Sequence, residues 1–224
     1  ANNVAIQYSS RRDDVRAESL LVADIRLSPG GENGYENLIF ARLDQGKIRE
    51  ATATLELMKT RFPGNPATTR NEYIIRSVTG NLDGAQRVLD SARASKSLDV
   101  RSVGYFLGAD IAMTRGRLAD SRRLFLEGEA LNASRGIPTP AIVDSVYAIT
   151  VDAWYGPANH GPADRLDAVL ARTPLRSMPV VDRPYLSVAT AYAINGRPER
   201  ARAILAAYSA EVTDTALLRN NQPL

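Results

Sequence analysis

The stretch DRPYLSVATAYAINGRPERARAILAAY, residues 182–208, decides how the rest of the chain is read. Its apolar residues recur at three- and four-residue spacing on both sides of Gly196, the signature of two amphipathic helices joined by a short turn. A glycine in that place can take the left-handed conformation that ends a helix. Five residues later stands the small Ala201, and four further on the large Leu205. A small side chain lets the second helix cross close to the first. The large residue one turn on lies on the same face and fills the space between them.

The same frame recurs upstream. Gly46, Gly80 and Gly116 are followed at the same distances by Ala51, Ala85 and Ser121, and then by Leu55, Leu89 and Phe125. Arg12, Ala17 and Leu21 repeat it once more with arginine in the glycine place, and Gly161, Leu166 and Leu170 keep the spacing without the small residue. Ala17, Ala51 and Ala85 are 34 residues apart, as are Pro29 and Pro63. A helix pair of this size cannot bury its own apolar face, so consecutive pairs must stack on one another. The dipeptides Asn65-Pro66, Thr139-Pro140 and Gly161-Pro162 read as helix N-caps followed by proline in the first helical position, and Gly196-Arg197-Pro198-Glu199 opens a second helix in a similar way.

Residues 182–208 resemble the tetratricopeptide repeat family, with Ala189, Tyr192, Gly196, Ala201 and Leu205 in the family's places; Ala5, Tyr8, Ala17, Leu21 and Pro29 do the same near the start. The family's early tryptophan is absent, Arg42, Arg76 and Ala112 stand where it has tyrosine, and YGPANHGPAD enlarges the unit at 138–178. The resemblance implies an all-α fold, a right-handed α-solenoid of antiparallel helix pairs. It divides residues 1–224 into about six units of a single domain: 1–30, 31–65, 66–100, 101–137, 138–178 and 179–212, with 213–224 a tail or the start of a further unit. The absence of a polar capping repeat at either end leads us to expect an array that continues beyond residues 1 and 224. The resemblance further implies a non-catalytic scaffold that binds a protein or peptide, the regulatory or sensor segment of a larger bacterial protein such as a serine/threonine kinase. A ligand-sensing domain for a small molecule or lipid is the alternative.

Composition narrows the chemistry. With no cysteine, the chain has no disulfide, thiolate metal site or cysteine nucleophile. The 28 basic and 25 acidic side chains nearly balance, and no basic run marks a nucleic-acid footprint, so nucleic acid is not an expected partner. No apolar run approaches the ~20 residues of a membrane span. The first residues, ANNVAIQYSSRRDD, do not have the pattern of a signal peptide.

No set of residues supplies a nucleophile, a base and an orienting group, so we expect no catalytic residue, no metal and no cofactor. His160, the sole histidine, lies in a turn-rich loop and reads as exposed. Asp13-Asp14 reads as a solvated helix start, Gly30–Gly34 as a connector between units, and Arg11-Arg12 and Arg122-Arg123 as solvated faces. On the first helices, Ile39, Tyr73, Ala109 and Ala189 are expected to face the partner helix. The neighbouring stripe then contains Glu36, Phe40 and Leu43, Arg70, Ile74 and Ser77, Phe106, Asp110 and Met113, and Leu186, Thr190 and Ala193. Tyr147 and Trp154 are the counterparts in the unit at 138–178. Aromatic and arginine side chains anchor interfaces most often. Arg70, Phe106, Asp110, Tyr147 and Trp154 are therefore the candidates for partner contact.

Overall fold

The computed structural model describes residues 2–155 and 162–213. Among them are twelve α-helices: α1 Asn2–Ser10, α2 Asp14–Leu27, α3 Glu32–Asp44, α4 Ile48–Arg61, α5 Pro66–Val78, α6 Leu82–Arg93, α7 Leu98–Thr114, α8 Leu118–Ser134, α9 Pro138–Tyr155, α10 Pro162–Arg172, α11 Tyr185–Ile194 and α12 Pro198–Glu211. Two short 3-10 turns, Leu175–Ser177 and Val180–Asp182, lie between α10 and α11. The described residues contain no strand, and the architecture is all-α, built from antiparallel helix pairs as in α-solenoids.

The turn inside each pair follows from its backbone hydrogen bonds. At the end of α5, the Gly80 N–H donates to the Ser77 carbonyl at 3.0 Å and the Asn81 N–H donates to the Arg76 carbonyl at 2.8 Å. This double closure requires a left-handed residue, and Gly80 has φ +75°. The same two bonds recur at Gly46, Gly116 and Gly196. They recur also at Arg12, where the Arg12 N–H donates to Ser9 and the Asp13 N–H to Tyr8. Arg12 has φ 59°, the one positive φ outside glycine among the described residues. The repeat frame thus forces an arginine into backbone geometry that its Cβ disfavours.

The small residue of the frame is where the paired helices meet. Ala17, Ala51, Ala85 and Ser121 are fully buried, and Ala201 is 6% exposed. The large residues Leu21, Leu55, Leu89 and Phe125 are each at most 2% exposed. Helix starts are also local. The Asn65 side chain accepts from the Ala67 N–H at 2.7 Å ahead of Pro66, the Asn81 side chain accepts from the Gly84 N–H at 2.9 Å, and the Asp13 side chain caps α2. Two expectations need correction. α9 begins at Pro138, so Thr139 lies inside its first turn rather than capping it; Pro138 already supplies the φ that a first helical position needs. α3 begins at Glu32, so only Gly30 and Gly31 of the glycine-rich segment are connector.

The chain divides into two compact units, Ala1–Leu107 and Gly108–Leu224, with the division inside α7. In the first unit, Ala5, Ala17, Leu21, Leu38 and Ala41 form one cluster. Tyr35, Ile39, Ala51, Leu55, Met58, Ala67 and Ile75 form the next, joining α3, α4 and α5. α7 approaches α6 so closely that a Cβ on Gly104 would stand 2.8 Å from the Arg93 backbone nitrogen. In the second unit, one cluster links α9, α10, α11 and α12 through Ile142, Val146, Leu166, Val188, Tyr192 and Ala201, with Met178 from the segment between α10 and α11.

Relieving the strain at position 12 is expected to show in urea unfolding. Arg12→Gly stabilises the chain by about 0.5–1 kcal/mol, while Gly80→Ala destabilises it by about 1 kcal/mol. Destabilisation by Arg12→Gly would contradict this account of the turn.

Candidate interaction surface

In the first unit the first helices of successive pairs lie beside one another, α1 against α3 and α3 against α5. The residues expected to face the partner helix do so: Ile39 is fully buried and Tyr73 is 8% exposed. The stripe next to them is apolar at 34-residue intervals. Ile6 is 44% exposed, Phe40 is 37% exposed and Ile74 is half-buried. Arg70 donates from Nε at 2.9 Å and from Nη2 at 2.5 Å to Glu36 Oε1, so a carboxylate holds it although its side chain stays partly exposed. Asn37 Nδ2 donates to Asn2 Oδ1 at 2.9 Å one step earlier. Phe106 is half-buried on α7.

In the second unit Asp110 is half-buried on α7, and Ala109 and Ala189 are buried as expected. Tyr147 stacks on Phe125 with ring centroids 5.3 Å apart and interplanar angle 24°, and is 38% exposed. Trp154 is 56% exposed, edge-on to Tyr155. Tyr147 and Trp154 stand two turns apart on one helix, so they share a face of α9. Asp152 accepts from Arg122 Nε at 2.9 Å and from Arg165 Nη2 at 2.5 Å, which ties α8, α9 and α10 together. Arg122 is thus an ion-pair partner, not simply a solvated residue.

Arg70 joins Glu36, Phe106 and Asp110 lie one turn apart on α7, and Tyr147 and Trp154 share α9. Ile6 belongs to the stripe but was not among the sequence candidates; its 34-residue spacing from Phe40 was the available signal. The Glu36–Arg70 pair carries the same signal. His160 lies outside the described residues. Among the described residues no group of three or more His, Asp or Glu could hold a metal, and no helix is long and apolar enough to cross a membrane.

Many charges are already committed to one another. Burial opposes ionisation of Glu18, yet hydrogen bonds from Lys47, Arg42 and Gln45 outweigh it and hold the carboxyl below its ordinary range. Glu72 behaves in the same way against Lys59 and Arg76. Arg42 and Arg76 stand in the family's tyrosine place, and here they serve as ion-pair donors within the first unit.

No protein-family model and no curated protein matches the sequence. Among solved structures the chain is similar to PilW, a widely conserved type IV pilus biogenesis factor, with a TM-score of 0.51 and 13% identity over 98% of this chain and 95% of that one. It is also similar to PilF of Pseudomonas aeruginosa (TM-score 0.49, 12% identity, covering 99% and 96%). A tetratricopeptide repeat protein of Parabacteroides merdae gives a TM-score of 0.44 with 16% identity, covering 97% and 94%. The fold is of the tetratricopeptide type. The glycine turn and the small residue five positions on occur together here at Gly46 and Ala51, Gly80 and Ala85, Gly116 and Ser121, and Gly196 and Ala201.

One buried carboxyl departs from the apolar interior of this tetratricopeptide-type fold. Asp144 on α9 is 2% exposed and accepts from Asn132 Nδ2 of α8 at 2.9 Å. Burial raises its pKa to about 7; the Asn132 bond lowers it, and the charge of Glu129 raises it further. The folded form therefore binds the proton more tightly than the unfolded chain does. Stability from this group is full below about pH 4 and is lost as pH rises to about 7, by up to about 1.4 kcal/mol per pH unit. Asp144→Asn should flatten this slope and raise the unfolding midpoint at pH 8 relative to the parent chain. Parallel pH–stability curves for the two proteins would contradict the assignment.

Proposed function

We propose that the chain is a non-catalytic scaffold that binds a protein or peptide through the first-helix faces of its units. The observation that carries this reading is the repeating apolar stripe Ile6–Phe40–Ile74, with exposed aromatic area at Tyr147 and Trp154 in the second unit. An isolated exposed apolar side chain is ordinary on a protein surface, whereas aromatic and aliphatic side chains repeated in register suit the evenly spaced contacts of a peptide or helix. Arg70 is fixed by Glu36, so it meets a partner already oriented and with less entropy to lose.

The reading extends to the six unit boundaries given above as repeats of one domain, and to a role as the regulatory or sensor segment of a larger bacterial protein. A protein partner is favoured over nucleic acid because the basic side chains are nearly balanced in number by acidic ones and many are paired with them.

Capture of partners by the purified chain tests this directly, with Phe40→Asp and Trp154→Ala compared against the parent. Each variant should keep its helical circular dichroism and lose about tenfold in affinity for the captured partner, the scale of a moderate interface anchor. Undiminished binding by both variants would refute the assigned faces.

A further inference from the structure

Three contacts tie the antiparallel helices α8 and α9 along their length. At one end Asp152 accepts from Arg122 of α8 and from Arg165 of α10. In the middle Tyr147 stacks on Phe125. At the other end Asp144 accepts from Asn132, and both residues are buried. The two carboxyl ends are unlike. Asp152 is half-buried between two guanidinium groups that balance its charge. Asp144 meets a neutral amide, and among the described residues no arginine or lysine pairs with it.

The helices around Asp144 add no counter-charge. On α8, Glu129 stands one turn before Asn132 and opposes ionisation, and its own cation is Arg172 of α10, 3.6 Å away. The other charges of α10 are taken up elsewhere, Arg165 by Asp152, and Asp164 and Asp167 by Arg197 and Arg200 of α12. α11 carries no charged residue, and the part of α7 in this unit carries only Asp110, which is negative. A buried charge needs more than a neutral donor to replace its water, so Asp144 is well served with its proton and poorly served without it. An ionised Asp144 gains most from water, and water reaches it when α9 draws away from α8. The two cations on Asp152 resist that movement at one end of the pair; nothing comparable resists it at the other.

We propose that Asp144 and Asn132 form a proton-controlled latch between α8 and α9, closed in acid and loosened as the pH rises to neutrality. Tyr147 lies one turn beyond Asp144 on α9, so the latch sets how firmly its ring is held against Phe125. The closed form holds the proton more tightly than the open one. Each unit of rising pH therefore favours opening by up to about tenfold, until the closed form itself loses the proton. Glu18 and Glu72 titrate below their ordinary range and so stay ionised throughout. Control of partner binding by this latch rests on the proposed role of the Tyr147 and Trp154 face; the latch itself needs no partner.

Hydrogen exchange of the free chain between about pH 5 and about pH 7.5, corrected for intrinsic rates, tests this. Amides 144–150 of α9 should lose about tenfold or more in protection over that range, with little change in low urea, the mark of a local opening. Asp144→Asn should abolish the change. Asn132→Ala, which removes the donor that favours the carboxylate, should carry the loss to higher pH. His160, the one histidine, titrates near neutrality by its ordinary value, and His160→Gln should leave the change as it is in the parent. Equal protection at both ends of the range in the parent, the same loss in Asp144→Asn, or its disappearance in His160→Gln would overturn the proposal. So would a loss at α9 that steepens with urea as exchange at α4 does, which is global unfolding. None of these outcomes depends on whether Phe40→Asp or Trp154→Ala weakens the capture of a partner.

Discussion

Five of the helix pairs depend on how closely two helices can cross at a single small side chain. At Ala17, Ala51, Ala85, Ser121 and Ala201 the second helix of a pair meets the first, and a larger residue one turn on fills the space that the crossing leaves. Packing in protein interiors tolerates little change of volume, so this contact fixes the separation of the helices. The turn that delivers the second helix is fixed with it, by two backbone bonds around one left-handed residue. Where the frame places arginine at that residue, the chain accepts the strained geometry at Arg12 rather than alter the turn. Where it places serine at the crossing, the Ser121 hydroxyl is buried without a hydrogen-bond partner.

That constraint also disposes the surface. Once helix pairs repeat at a nearly constant interval, residues at matching places in successive first helices become neighbours. Glu36 reaches Arg70, and Ile6, Phe40 and Ile74 fall into register. In the second unit the enlarged helix α9 presents Tyr147 and Trp154, while Asp152 on the same helix gathers Arg122 and Arg165. The proposed binding faces are thus by-products of the spacing that builds the core.

The frame was legible in the sequence because it depends on local rules: which residue can be left-handed, which can be small, which lies one turn further on. Ile39, Tyr73, Ala109 and Ala189 could be assigned to the interior on that basis. What could not be read was chosen by three-dimensional competition. Arg70 looked like a free anchor because its partner Glu36 is a full repeat away. Arg122 looked solvated because Asp152 approaches it from another helix. Thr139 looked like a cap, but Pro138 had already opened the helix. Asp144 gave no signal at all, since its burial depends on how α8 lies against α9 and on Asn132 meeting its carboxylate.

The most direct measurement is urea unfolding of two alanine-to-leucine substitutions in α4, one at the crossing and one beside it. Ala51 is fully buried against α3, while Ala53, two residues on, is exposed. Ala51→Leu should cost about 1–3 kcal/mol or more by forcing the helices apart, and Ala53→Leu should fall within about 0.5 kcal/mol of the parent. Equal stability of the two variants would contradict the claim that the small-residue crossing holds the pairs together.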